Sequence, residues 1–198
     1  MPFPTRRTVA AFPLPYDPRS LPGLAARWVQ WVAAAGLDQS PLDDPTGENS
    51  SAHQPSDVWF LAGGQGGAVR HPLAVPGGRD LFFPLVTWWS RADRGPDLSA
   101  LAARAHGSVA VDGTPVRPVP VVTHEPFVVT GARFNEITLR TKPREVVTGG
   151  LWASVPALAS GAHELHIVAG EDTDVAVDVR HQLWVTSPGS TRWSRLTR

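Results

Sequence analysis

Prolines and glycines interrupt this sequence from end to end, with twenty prolines and eighteen glycines in 198 residues. A chain interrupted so often favours many short strands joined by turns. Alternation is clearest near the C-terminus, where Val175, Val177, Val179, Leu183 and Val185 share one strand face and polar residues share the other. The sequence therefore predicts a mainly β fold, either an antiparallel β-sandwich, a jelly roll or a squat barrel, with two short helices.

Two windows have helical rather than strand patterning. The first covers about residues 21–35, with Ser20 as N-cap and apolar residues, including Trp28 and Trp31, at helical spacing. Their expected role is to dock the helix on a sheet. The second helix is predicted at about residues 96–105. Among the predicted β segments are a strand over residues 134–141 and a hairpin with a type I′ turn at Asp112-Gly113.

The length of the chain predicts a single domain over residues 1–198. Within it we expect an extended arm (1–19), a helix with aromatic strands and loops (20–107), an all-β part (108–186) and a tail (187–198). The GGQGG stretch at residues 63–67 lacks the lysine pattern of a phosphate-binding loop. It is predicted to be a flexible hairpin turn.

Charge and cysteine content exclude several classes of function. Eighteen basic and eighteen acidic residues cancel, so bulk electrostatics would not recruit nucleic acid or an anionic membrane. The chain has no cysteine, which excludes disulfides, thiolate nucleophiles and cysteine-ligated metals. No window approaches the length of a membrane helix, and Pro13 and Pro15 interrupt the short apolar run near the N-terminus. We therefore expect a cytoplasmic protein with no cofactor.

Histidines do not predict a metal site either. His163 and His166 are three residues apart on a predicted strand, which places them on opposite faces, so they would not bind one ion. His163 is expected to cap a turn, and His181 to be a hydrogen-bonded core histidine.

A polar loop over residues 44–54 is the first candidate site. Asp44, Glu48 and His53 are the candidate catalytic residues, because a carboxylate and an imidazole in one tight loop can act as general acid and base. The loop also has a structural interpretation. Asp-Pro and Thr-Gly form turns, and Asp44 could simply accept backbone N–H groups.

Tryptophans on two neighbouring predicted strands are the second candidate. Trp59, Trp88 and Trp89, together with Gln54 and His124, are the predicted substrate-binding residues. Trp88 and Trp89 are adjacent on a strand and must point to opposite faces, so one ring can join the core while the other meets a ligand. The alternative is that these rings interlock with Trp28 and Trp31 in the core.

The same region resembles a family of bacterial proteins, mostly predicted to be exported, for which no activity is assigned. The shared pattern is D-x-T-G, a loop with cysteine and then Gln, V-W-F-L-A-G, a Gly-rich turn, and V-P-x-G-x-x-x-F-F-P. It is carried here by Asp44, Thr46, Gly47, Gln54, residues 58–63, Val75, Pro76, Gly78 and residues 82–84. Ser50 or Ser51 replaces the cysteine and no export signal is found, which fits a reducing compartment. A composition rich in Ala, Arg, Pro and Gly, with Lys142 as the single lysine, resembles a high-GC actinobacterial protein and suggests specialised metabolism.

Two functions of different class follow from these residues. The first is a cofactor-independent biosynthetic enzyme (a cyclase, isomerase or lyase) that folds a largely apolar small molecule in a Trp-lined pocket. The second is a non-catalytic module that binds a carbohydrate or a hydrophobic small molecule. Both predict a small-molecule partner without nucleic acid or membrane, and both leave a homodimer open. A deep cavity with a carboxylate or imidazole would favour the enzyme, and an exposed Trp platform would favour the module.

Overall fold

The computed structural model describes residues 13–62, 67–172 and 174–187, and this part of the chain is mainly β. Most of the predicted arm and tail, and residues 63–66 of the predicted turn, lie outside the described residues. The helices are α1 (Leu21–Ala33) and α2 (Leu98–Arg104). The strands are β1 (Val58–Phe60), β2 (Gly67–Val75), β3 (Asp80–Arg91), β4 (Ala105–Val111), β5 (Thr114–Val116), β6 (Val119–Val122), β7 (Phe127–Val129), β8 (Arg144–Val155), β9 (Gly161–Glu171) and β10 (Asp174–Val185).

The strands form two open five-stranded sheets. The first sheet has the order β1-β3-β8-β6, with β7 also paired to β8, and the second has the order β2-β10-β9-β4-β5. Strands from the predicted 20–107 and 108–186 segments lie side by side in both sheets. The sheets do not close, so the architecture fits a β-sandwich and the barrel alternative is wrong.

Both sheets are mixed, whereas the sequence predicted antiparallel ones. β1 runs parallel to β3 and β2 runs parallel to β10, while the other pairs are antiparallel. β1 and β2 also belong to different sheets, so these two strands do not pair as the hairpin that the sequence predicted. The alternation of apolar and polar residues indicates which face of a strand a side chain occupies. It does not indicate the direction of the neighbouring strand, so the parallel pairs could not be predicted from the sequence.

An apolar core fills the space between the two sheets. Trp59, Leu81 and Phe83 from the first sheet meet Leu165 and Ile167 from the second, and all are at most 2% exposed. Alternation along β10 contributes as predicted, since Val177, Val179, Leu183 and Val185 are buried. Val175 is the exception and is exposed.

Helix α1 covers the other face of the first sheet. Ser20 caps it by accepting the Gly23 amide at 3.2 Å, as predicted, and the helix ends at Ala33, two residues before the predicted limit. Trp28 and Trp31 pack in a second core cluster and donate their indole N–H groups to backbone carbonyls, each at 2.8 Å. The first sheet is therefore buried on both faces. Neither α-helix in the described ranges is long and apolar enough to cross a membrane.

A β-bulge in β3 decides where its tryptophans point. The pairing of β3 with β8 shifts between Pro84 and Val86, and Pro84 has no N–H to donate to the ladder. Phe83 faces the space between the sheets, as does Val86 beyond the bulge. Trp89 consequently packs on the helix side of the sheet, and half-buried Trp88 lies on the opposite strand face.

Residues 131–143 form a loop rather than the strand predicted over residues 134–141. Asn135 is fully buried; its side chain donates to the carbonyls of Ala132 and Arg140 and accepts the amides of Ile137 and Thr138, at 2.7–3.2 Å. A side chain that satisfies this many backbone groups replaces ladder hydrogen bonds. Gly131 lets the loop start against α1, because a Cβ there would lie 2.3 Å from the Ala33 carbonyl oxygen.

Candidate ligand-binding groove

Asp44 holds the polar 44–54 loop together. One carboxylate oxygen accepts the Thr46 hydroxyl at 3.0 Å, and the other accepts the Asn49 amide at 2.7 Å. The carboxylate is 9% exposed, and Gly47 turns the chain in a left-handed conformation into the 3-10 turn Glu48–Ser51. These bonds match the structural interpretation of Asp44 as the acceptor that organises the loop.

The other predicted residues of this loop, Glu48, His53 and Gln54, do not converge on the Asp44 carboxylate. Glu48 and His53 are exposed, and the hydrogen bonds of Asp44 go to neither of them. Gln54 accepts the Phe60 amide at 2.9 Å and donates to the Phe60 carbonyl at 2.7 Å, so it pairs with β1 like a strand neighbour. The loop therefore shows no assembled acid–base pair among these residues.

The predicted Trp and His binding residues do not share one pocket. Trp59 is 2% exposed between the sheets, with the Arg79 guanidinium 5.7 Å from its ring centroid. Trp88 is half-buried, and His124 is exposed next to Glu125 in the turn between β6 and β7. Of this group, Trp89 is the residue that borders a large opening.

A small cavity lies beside Asp44. Its lining includes Asp44, Trp31, Ser50, Leu61 and His181, and its volume is about 20 Å³. That volume holds about one water molecule and is far below the size of a small-molecule pocket. His181 is 3% exposed on the inner face of β10, where the sequence predicted a core histidine.

His163 and Asp112 form an ion pair at the β4–β5 hairpin turn. The two ring nitrogens of His163 lie 2.7 Å from the Asp112 carboxylate and 2.8 Å from the Ala159 carbonyl oxygen, so both donate when the ring is protonated. The bond to Asp112, followed by the bond to Ala159, raises the pKa of His163 above its ordinary 6.5. The bond from His163, followed by the Glu164 amide, lowers the pKa of Asp112 below 3.8. His166 lies on the opposite strand face and contacts Asp178.

This ion pair predicts a weak pH dependence of stability. The contribution of His163 is complete below pH 6.5 and is lost as pH rises through its raised pKa. The contribution of Asp112 is present above pH 3.8 and is lost as pH falls through its lowered pKa. Between about pH 6 and about pH 9 we expect the free energy of unfolding to fall by less than about 1 kcal/mol, because the pair is partly exposed.

Urea unfolding at both pH values measures this difference, and Asp112→Asn is the matched control. Asp112 and Gly113 both have positive φ, 50° and 77°, as a type I′ turn requires. Asn-Gly suits that turn equally well, so the variant keeps the hairpin and removes the charge. An unchanged pH dependence in this variant would contradict the assignment.

An open groove of about 370 Å³ lies at one end of the first sheet. Trp89 and Arg91 from β3 and Arg144 and Val146 from β8 line it, and Arg91 is paired with Val146 across the two strands. Strand alternation puts all four side chains on the helix-side face of the sheet. The 131–143 loop forms the remaining wall of the groove with Ile137, Thr138 and Arg140.

The groove is cationic. Arg91 contacts Asp93 at 2.9 Å, whereas neither Arg140 nor Arg144 lies within 4 Å of a carboxylate in the described part of the chain. The lining contains no Asp, Glu or His. The site thus offers two unpaired guanidinium groups beside an indole ring, a combination that binds an anion attached to a flat or apolar group.

Trp89 was predicted from the sequence as a binding residue, whereas the arginines of this groove were not. The signal that could have found them is the basic run at residues 140–144, directly before β8. The wrong strand prediction over residues 134–141 hid it, because that prediction assigned Arg140 to a strand and left Arg144 outside it. Within the described ranges, no group of three or more His, Asp or Glu residues could hold a metal ion.

Comparisons with known proteins add little to this site. No protein-family model matches the chain, and no curated protein matches it. Among solved structures, the solution structure of Amebosin is similar to part of the chain, with a TM-score of 0.27 and 6% sequence identity. The match covers 60% of this chain and 96% of Amebosin. A likeness at this level carries no argument, so the family resemblance in residues 44–84 stays a hypothesis.

Proposed function

We propose that this protein is a non-catalytic β-sandwich that binds a small organic anion, with the apolar part of the ligand against Trp89. The observation that carries the proposal is the convergence of Trp89, Arg140 and Arg144 on one groove of about 370 Å³. That volume suits a small-molecule ligand. The proposal keeps the ligand-binding alternative drawn from the sequence and changes the expected ligand from a carbohydrate or a hydrophobic small molecule to a small organic anion.

Unpaired arginines give the groove its preference for anions. A guanidinium group presents planar N–H donors that match a carboxylate or a phosphate, and such charge-assisted bonds are stronger than neutral ones. Arg144 lies on a strand, and the backbone carbonyl of Arg140 accepts a hydrogen bond from Asn135, so the backbone at both positions is held in place before a ligand arrives. A backbone that is already ordered loses less conformational freedom on binding.

The composition of the lining favours binding over proton transfer. None of the groove residues is an ionisable acid or base that titrates near neutral pH, whereas a cofactor-free cyclase, isomerase or lyase needs a placed acid or base. The enzyme predicted on Asp44, Glu48 and His53 remains a hypothesis. The cavity that Asp44 lines admits about one water molecule.

Binding of 1-naphthyl phosphate tests the proposal, because this probe combines a flat ring with an anion. We expect it to quench the fluorescence of Trp89 and to bind more tightly than 1-naphthol or inorganic phosphate alone. Arg144→Gln should weaken binding by about tenfold or more, because a hydrogen bond to a charged group is lost. Trp89→Phe should remove the quenching that depends on the indole while keeping most of the affinity.

Arg94→Gln is the matched control. Arg94 is exposed in the turn that follows β3 and does not line the groove. Its affinity for the probe should stay within about twofold of that of the unchanged protein, because surface charges act weakly at this range. Equal affinities of the Arg94 and Arg144 variants, or equal binding of naphthol and naphthyl phosphate, would overturn the proposal.

A further inference from the structure

Three large apolar side chains are exposed to solvent at the outer edge of the 131–143 loop. Leu37, Phe134 and Leu139 are 48%, 53% and 59% exposed. The Leu37 amide donates to the Phe134 carbonyl at 3.1 Å, and the Phe134 amide donates to the Leu139 carbonyl at 3.3 Å. These bonds place the three residues side by side, and we call them the apolar tip.

The backbone of the apolar tip is strained. Phe134 and Leu139 both have a φ of 58°, in the left-handed region that bulky residues avoid at a cost of about 1–2 kcal/mol each. Glycine or asparagine would fit there without that cost. The hydrogen bonds of buried Asn135 keep the loop in this conformation. The fold keeps this strain although both side chains are exposed and add little to the core. Strained residues of this kind point to a role in binding rather than in stability.

Basic residues outnumber acidic ones near the apolar tip, where Asp38 next to Leu37 is an exposed acidic neighbour. The Arg133 guanidinium lies 4.6 Å from the centroid of the Phe134 ring. Four basic residues and one acidic residue, Glu136, occur between positions 131 and 144 of a chain whose net charge is zero. Lys142, the single lysine, is one of them. The tip is therefore an apolar surface with a basic border.

We propose that the apolar tip docks on an anionic lipid surface. Phe134 and Leu139 enter the headgroup region, while Arg133 and Lys142 contact lipid phosphates or carboxylates. Apolar insertion combined with basic contacts is what interfacial binding requires. Three side chains are too few for a specific protein interface, which usually takes about 20–30 residues a side, whereas a lipid surface needs no matching shape.

This proposal goes beyond ligand binding in the groove and differs from the expectation of no membrane partner. That expectation rested on the zero net charge of the whole chain, whereas the apolar tip combines a local excess of basic residues with locally exposed apolar side chains. Because Arg140 and Arg144 also line the groove, the groove opens next to the proposed lipid surface.

Sedimentation of the full chain with vesicles tests the proposal. We expect binding to phosphatidylcholine vesicles that contain phosphatidylserine, and little binding to phosphatidylcholine alone. The double variant Phe134→Asn and Leu139→Asn should weaken binding by at least about tenfold, because two apolar side chains no longer insert. The same variant should be at least as resistant to urea as the unchanged protein, because asparagine tolerates positive φ. Lys142→Glu should weaken binding by at least about fivefold and make it less sensitive to salt.

Trp184→Gln is the matched control, because Trp184 is 49% exposed on β10, in the other sheet. It should bind vesicles like the unchanged protein. Absence of sedimentation with the anionic vesicles would overturn the proposal, as would equal losses in the Trp184 and the double variants. Binding of the tip to an acidic protein without vesicle binding would overturn it as well. The double variant should still bind 1-naphthyl phosphate, so failure of the groove and failure of the tip are distinguishable.

Discussion

Replacing Trp152 with alanine is expected to lower the free energy of unfolding by about 3–5 kcal/mol. Trp152 lies in the middle of β8, is 0% exposed and faces α1. Its ring stacks on Phe82 at 5.2 Å between centroids and meets Trp28 edge-on at 5.4 Å. The variant leaves a cavity at the contact between the helix and the first sheet, where neighbouring large rings cannot collapse to fill it. Urea unfolding followed by circular dichroism measures the loss.

Trp152→Phe separates packing from hydrogen bonding at this position. The Trp152 indole N–H is buried without a partner among the described residues, so its removal also relieves an unsatisfied donor. We expect a loss of about 1–2 kcal/mol, since phenylalanine keeps most of the ring contacts. A phenylalanine variant as unstable as the alanine variant would mean that the indole is anchored by its N–H group rather than by packing.

Replacing Asn135 with alanine is expected to lower the free energy of unfolding by about 2–3 kcal/mol and to weaken 1-naphthyl phosphate binding by at least about tenfold. The change removes the partners of the Ala132 and Arg140 carbonyls and of the Ile137 and Thr138 amides. The loop then loses the conformation that places Arg140 and Ile137 over the groove. Urea unfolding and fluorescence titration give the two values separately.

Asn135→Asp provides the control for this prediction. Aspartate still accepts the amides of Ile137 and Thr138 but no longer donates to the Arg140 carbonyl. Its losses of stability and of binding should be at least as large as those of the alanine variant, because a buried carboxylate oxygen would face the Ala132 carbonyl oxygen. If the alanine variant binds the probe normally, Asn135 does not position the groove.

Local sequence signals were sufficient for several elements of this fold. Ser20 before an apolar helical repeat gave α1, and Asp112-Gly113 gave a turn whose two residues have positive φ. Each of these depends on a conformational preference within a few residues of chain. The polar 44–54 loop was recognised in the same way, and its turn-forming residues now account for the bonds of Asp44.

The candidate groove depends on features that local signals do not contain. The bulge beyond Pro84 moves Trp89 to the helix side of the sheet, although simple alternation from Phe83 would place it between the sheets. The apolar residues of positions 134–141 have the pattern of a strand. They form a loop because the buried Asn135 side chain makes the hydrogen bonds to the backbone that a neighbouring strand would otherwise make. In both cases the outcome depends on partners that lie far away along the chain.

By itself, the sequence determined a mainly β chain with two helices, the positions of most strands, and a core rich in tryptophan. Periodicity and turn chemistry suffice for these, because they act between residues that are close in the chain. The tertiary structure alone decided the parallel pairs, the two-sided burial of the first sheet, and the meeting of Trp89 with Arg140 and Arg144. Strand partners and register arise from packing between distant segments, and a single-residue shift of register moves a side chain to the opposite face.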